Sequence, residues 1–378
     1  MNSCRLAIVA LLLLPASGAA QTVQEPRNFA AWKSAVESHA AARRDAAVVD
    51  LARWEYGDLL AVLPDVGGLE LPERTVVVRK GLLLHTDIAI AHRTAMGYNL
   101  PLHGRGGTVF VDGRAVGGGS ATYHWDFARA LLARLPAGAE RTEIARQFYR
   151  TTGAILQQWS AHTELDAHLT AGQRLLDDDP VLLLYQGTRH QIYAHPRAQA
   201  AFDERRRQAG ARRGQPMGVF IQDQRSVILQ RISAEQRFRR ALEIDPALHE
   251  ARIRLAHILV DRGRYTEALE QLNRVAAQEI SPMLGFYLHL VKGRAERTLG
   301  RLDAARASFE SARTIVPAAQ APRLALSEVS LALGDHAAAL DYLAGLPADD
   351  AGLEDQWSLL ARTHDGTEQM LNAMRQAF

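Results

Sequence analysis

Cysteine and lysine are the scarce residues of this sequence. One cysteine, Cys4, stands in 378 residues. It precedes the short apolar run at residues 6–14. Past that run no thiol remains for a disulfide, a thiolate nucleophile or a zinc–thiolate site. The lysines are Lys33, Lys80 and Lys292, so the basic side chains are almost all arginine. We read this bias as one of coding composition and not of phosphate binding. Charge of one sign is also lacking. The formal net charge is +2, which gives no global drive toward nucleic acid.

Long apolar runs are missing too. The best internal stretch, residues 76–84, is broken by Arg79 and Lys80, so no span of a bilayer is expected there. Catalytic signatures are equally scarce. There is no HExxH, no GxSxG elbow and no GxxxxGK[ST] loop. The glycines at 104–107 and 117–119 are in the wrong order, with no lysine after them. The run Arg205-Arg206-Arg207 with Arg212-Arg213 lacks interleaved aromatics and reads as a solvated basic linker.

What is present begins with a targeting segment. Arg5, the apolar run at 6–14 and the small residues Ser17, Gly18, Ala19 and Ala20 have the order of a secretory signal peptide, with cleavage expected before Gln21. Cys4 lies before the apolar core, so it is not placed as a lipoprotein cysteine. The expectation is a bacterial protein that is periplasmic or secreted.

Helical patterning then dominates. Residues 29–96 read as helices, including a long one opened by Pro72 that continues through Val76-Val77-Val78 to Ile90. The irregular stretch 97–121 is glycine-rich, with Gly104, Gly106, Gly107, Gly113, Gly117, Gly118 and Gly119 among its residues. Within it, 108–111 and 114–116 flank Asp112-Gly113, the signal of a small hairpin. Helices are expected again at 123–136, 141–159, 163–176 and 181–194, the third with Thr163 and Asp166 in capping-box positions. A further helix over 217–230 is expected to open the first clear repeat.

From 233 onward small and large residues recur at fixed spacing. Ala234, Phe238, Ala241 and Pro246 are matched by Ala268, Leu272 and Val275, by Ala305, Phe309, Ala312 and Pro317, and by Ala339, Leu343 and Leu346. Gly263, Gly300 and Gly334 precede the later sets by five residues. The physical logic is direct. Antiparallel helices approach closely where the facing residue is small, and a large residue one turn on fills the gap beside it. Glycine allows the tight turn, and proline ends a helix. One pair cannot bury its apolar face, so such pairs occur in stacks.

This spacing resembles the tetratricopeptide repeat, a helix–turn–helix unit of about 34 residues. The resemblance implies an all-α chain, a right-handed α-solenoid of antiparallel helix pairs, with the glycine-rich loop or hairpin as an insertion. The expected organisation is a signal peptide at 1–20, an N-terminal helical region at 21–138, degenerate repeats at 139–214, clear repeats at 215–347 and capping helices at 348–378.

Function follows only by class. The resemblance implies a non-catalytic scaffold, without cofactor or metal, that holds a protein or peptide partner in a concave groove. Positions 2, 5, 9 and 12 of each first helix line that groove in the family. Here they are Glu250, Ile253, His257 and Val260, then Tyr287, Leu290, Arg294 and Arg297, then Ala321, Leu324, Glu328 and Leu331. They depart from the Lys/Asn clamp of repeats that hold C-terminal carboxylates. The alternative is an envelope hydrolase. His85 and His92 are seven apart on one helix face beside Asp87, next to the glycine-rich stretch.

Overall fold

The computed structural model describes residues 66–96, 109–111, 114–116, 123–159, 162–195, 223–275, 280–344 and 367–378. The leader, the helices expected at 29–63, the basic linker and the segment around Trp357 lie outside the described residues. The chain divides into two compact units, one of residues 1–148 with 371–378 and one of residues 149–370.

The first unit is built on α1 (Leu71–Met96), the long helix expected after Pro72. A hairpin follows, with β1 (Val109–Val111) antiparallel to β2 (Arg114–Val116) and Val109 opposite Val116. Then comes α2 (Tyr123–Leu132), packed on α1. Val77, Val78, Leu82 and Ala89 of α1 are buried, as are Trp125, Ala128, Leu131 and Leu132 of α2. Arg74 fastens the helix ends, donating to Leu69 O at 2.6 Å and Arg134 O at 3.2 Å. The C-terminal helix α13 (Thr367–Ala377) brings Leu371 and Met374 into this interior. Its polar partners are on α1: Arg375 meets Asp87 at 3.3 Å, and Arg79 donates to Ala377 O at 3.1 Å.

The division falls within α3 (Ala139–Gln158), and the second unit is a row of helix pairs that begins with the latter half of α3 and α4 (His162–Gln173). The second pair is α5 (Pro180–Tyr193) with α6 (Asp223–Ile244), which pack together across the intervening residues 196–222. Three further pairs follow: α7 (His249–Asp261) with α8 (Tyr265–Leu272), α9 (Pro282–Thr298) with α10 (Leu302–Ile315), and α11 (Gln320–Ala332) with α12 (His336–Ala344).

Local chemistry sets the boundaries. Asp179 caps α5, accepting from Val181 N and Leu182 N, with Pro180 at the first helical position. Ser281 and Pro282 do the same for α9. The turns inside the last three pairs are alike. Gly263, Gly300 and Gly334 have φ of 77°, 73° and 80°. Arg264 N, Arg301 N and Asp335 N reach back to Leu259 O, Glu296 O and Ser330 O at 2.8–2.9 Å. Each is a Schellman turn, which needs a left-handed residue that only glycine adopts without strain.

Packing across each pair follows one register. Gly153, Gly187, Ala256, Gly293 and Ser327 occupy the same place on successive first helices. Where a phenylalanine comes opposite, the residue is glycine. A Cβ on Gly187 would lie 2.4 Å from Phe238, and one on Gly293 2.7 Å from Phe309. A Cβ on Gly153 would lie 2.9 Å from Tyr185, here not across the pair but on α5, the next first helix.

One expectation needs correction. Of the helix expected over 217–230, the described part, 223–230, is not a first helix of its own but belongs to one continuous helix over 223–244, α6. It is the second helix of a pair whose first member, α5, stands upstream of residues 196–222. Gly187 against Phe238 is the contact that establishes the pairing.

Candidate functional site: the row of first helices

From α5 to α11 successive first helices touch one another more closely than successive second helices do, so this row lies on the inner side of the stack. Every expected groove residue is on this row, yet their environments differ sharply along it.

On α7 the whole run 250–260 is buried. Ile253 and Val260 pack away from water. The polar members close on each other. Arg254, fully buried, donates to Glu250 at 2.6 Å and to Gln191 of α5 at 3.2 Å. Gln191 in turn donates its amide to Nδ1 of His257 at 2.9 Å. Nε2 of His257 stands 3.8 Å from Asp261, and Asp261 accepts from Arg294 of α9 at 2.9 Å. One chain of contacts therefore joins three first helices. Burial is the main reason that the His257 pKa falls to about 4; Asp261 opposes the fall, while Arg294, His195 and Arg254 add to it. The imidazole is neutral at pH 7, which leaves Nδ1 free to accept from Gln191.

On α9 the row opens. Tyr287 and Leu290 are buried, whereas Arg294 and Arg297 reach solvent in part. Arg297 crosses to α11 and pairs with Glu328. On α11 the side chains turn outward: Leu324 is 41% exposed and Leu331 57%. Ala321 is intermediate. The row thus passes from a sealed polar interior to an open, partly apolar face.

A second polar cluster sits at the turn of the α7–α8 pair. Glu235 of α6 accepts from Arg239 at 2.9 Å, from Arg264 at 2.7 Å and from Arg262. Glu267 takes the remaining bonds of Arg239 and Arg264. These pairs staple one repeat to the next.

The residues suggested for a hydrolase are placed in part. His85 and Asp87 are buried on α1, and Asp87 is the carboxylate that meets Arg375. The His92 side chain lies outside the described residues. Among the described residues no group of three or more His, Cys, Asp or Glu could hold a metal ion. None of the described helices is long and apolar enough to cross a membrane. His168 of α4 is hydrogen-bonded to Thr152 in the interior of the α3–α4 pair, and Asp166 pairs with Arg189 of α5.

Stacked helix–turn–helix pairs of this kind define an α-solenoid, the architecture of a protein-interaction scaffold. Residues 232–279 and 297–363 match the family model described as tetratricopeptide repeat, so these stretches carry repeats of that kind. Among solved structures it is similar to MamA from Desulfovibrio magneticus RS-1, at 17% identity over 53% of this chain and 92% of that one, with a TM-score of 0.37. It is also similar to PilF of Pseudomonas aeruginosa, at 12% identity over 62% and 91%, with a TM-score of 0.41. Likenesses of this size carry nothing about function. A search of curated proteins finds no match.

Proposed function

We propose that this protein is an exported, non-catalytic scaffold that holds a segment of a partner protein on the row of first helices. The observation that carries the reading is the change along that row: the interior is sealed at α7 and open at α9–α11, where half-exposed arginines stand beside exposed leucines. Leu324 and Leu331 stand exposed together on the row, and a peptide lying in a groove of helices covers such side chains. Export rests on the leader at 1–20.

The test uses the full chain as bait in envelope extract of the source organism, with crosslinking. The wild type captures a partner, and a variant with Arg294→Glu and Arg297→Glu loses it. Undiminished capture by the variant would remove this groove from the account. A reporter enzyme fused after residue 20 should become active outside the inner membrane; retention in the cytoplasm would remove export.

A further inference from the structure

Within the groove reading, which it presupposes, the chemistry of α9 and α11 narrows the partner. These two helices carry four cations, Lys292, Arg294, Arg297 and Arg323, against two carboxylates, Glu296 and Glu328. Glu296 is buried and accepts from Ser308 at 2.6 Å, so it faces the repeat interior. At the groove positions Arg294 is offset by Asp261 of α7 and Arg297 by Glu328.

The two groove arginines are held with unequal firmness. Arg294 is bonded to Asp261, whose side chain is only 20% exposed and lies against His257. Arg297 is bonded to Glu328, whose side chain is 61% exposed. An ion pair so open to water contributes at most about 1 kcal/mol. An incoming carboxylate that also brings apolar contact can therefore displace Glu328 from Arg297. Contact is available on both sides, since Leu324 and Leu331 stand one turn before and one turn after Glu328 on the same helix face.

We infer that the open half of the groove binds a partner segment carrying an acidic residue flanked by apolar side chains. Arg297 is its anion anchor, and Glu328 occupies that anchor until the partner arrives. Leu324 and Leu331 receive the flanking side chains. Arg294 stays with Asp261 and supplies field but no bond.

The test measures binding of synthetic peptides to the full chain. The parent peptide has leucines seven positions apart with a glutamate midway, and matched versions carry glutamine or lysine there. The glutamate version should bind about tenfold more tightly than the glutamine version, the value of one charge-assisted bond, and the lysine version should not saturate. Glu328→Gln leaves the surface intact and should raise affinity for the glutamate peptide several-fold. Arg297→Glu should reverse the order, favouring lysine.

Equal binding of the glutamate and glutamine versions, or no change with Glu328→Gln, overturns the inference. If Leu324→Asp weakens every version and Arg297→Glu leaves their ratio unchanged, the groove binds apolar segments and only the acidic preference falls. If neither Leu324→Asp nor Leu331→Asp alters peptide binding or partner capture, the groove reading falls with it. A native mass that doubles with concentration, and does not with Leu331→Asp, assigns the face to a second copy and also overturns the inference.

Discussion

The first-helix row at α7 and the same row at α11 share a register and little else. At α7 the expected groove positions are Glu250, Ile253, His257 and Val260, and all are buried. At α11 the same positions are Ala321, Leu324, Glu328 and Leu331, and they face water wholly or in part. Repeat position therefore fixes which face a residue occupies but not whether that face is open. What closes the α7 segment is a neighbour-to-neighbour polar network that draws α5, α7 and α9 together. At α11 the bond that crosses the row is the exposed Arg297–Glu328 pair, with Glu328 61% exposed. The sealed half gives the row a rigid base, and the open half offers surface.

The comparison can be broken hardest at Arg254. Its guanidinium is fully buried between Glu250 and Gln191. Arg254→Met removes the cation beside a buried carboxylate, which should cost about 3–5 kcal/mol in denaturant unfolding. A cost near zero would mean that the network does not hold the row together.

Acid attacks the same region through His257. Its folded pKa is near 4 and its unfolded value near 6.5. The unfolded chain binds the extra proton first, so stability is complete above pH 6.5 and falls as pH drops toward 4, by roughly 3 kcal/mol in all. His257→Gln keeps a polar side chain at the site and should flatten that limb of the stability–pH curve. An unchanged limb would place the acid sensitivity elsewhere.

Intra-repeat packing comes next. Gly187→Ala and Gly293→Ala each drive a Cβ into a buried phenylalanine ring. Each should cost about 1–3 kcal/mol, read as a fall in Tm. Neutral substitutions would show that the rings can move aside. The smallest effect belongs to Glu328→Gln, which should change stability by less than about 1 kcal/mol while altering peptide affinity, since the pair it breaks is exposed. A large loss of stability would make that pair structural.

These contrasts also show what the sequence could say. Gly263, Gly300 and Gly334 were legible because a left-handed turn residue has almost no substitute. The long helix through Val76-Val77-Val78 and the hairpin around 112–113 were legible from run length and turn chemistry. The α5–α6 pair was not, because residues 196–222 separate its helices and break the 34-residue spacing. A signal existed nonetheless: Gly153 and Gly187 are 34 apart, and Gly187 stands in the register of Ala256 and Gly293. The position of α13 beside α1 and the polar chain through His257 were not legible at all. Both depend on partners far apart in the chain, which local periodicity does not encode.

The most direct test of the account places a photo-crosslinking amino acid at Leu324, at Leu331 and, as a control, at Leu340 on the second helix α12. Leu340 is apolar and 69% exposed, so exposure alone would favour it. The account predicts partner adducts from 324 and 331 and none from 340. Adducts from 340 alone would contradict it and move the binding surface to the row of second helices.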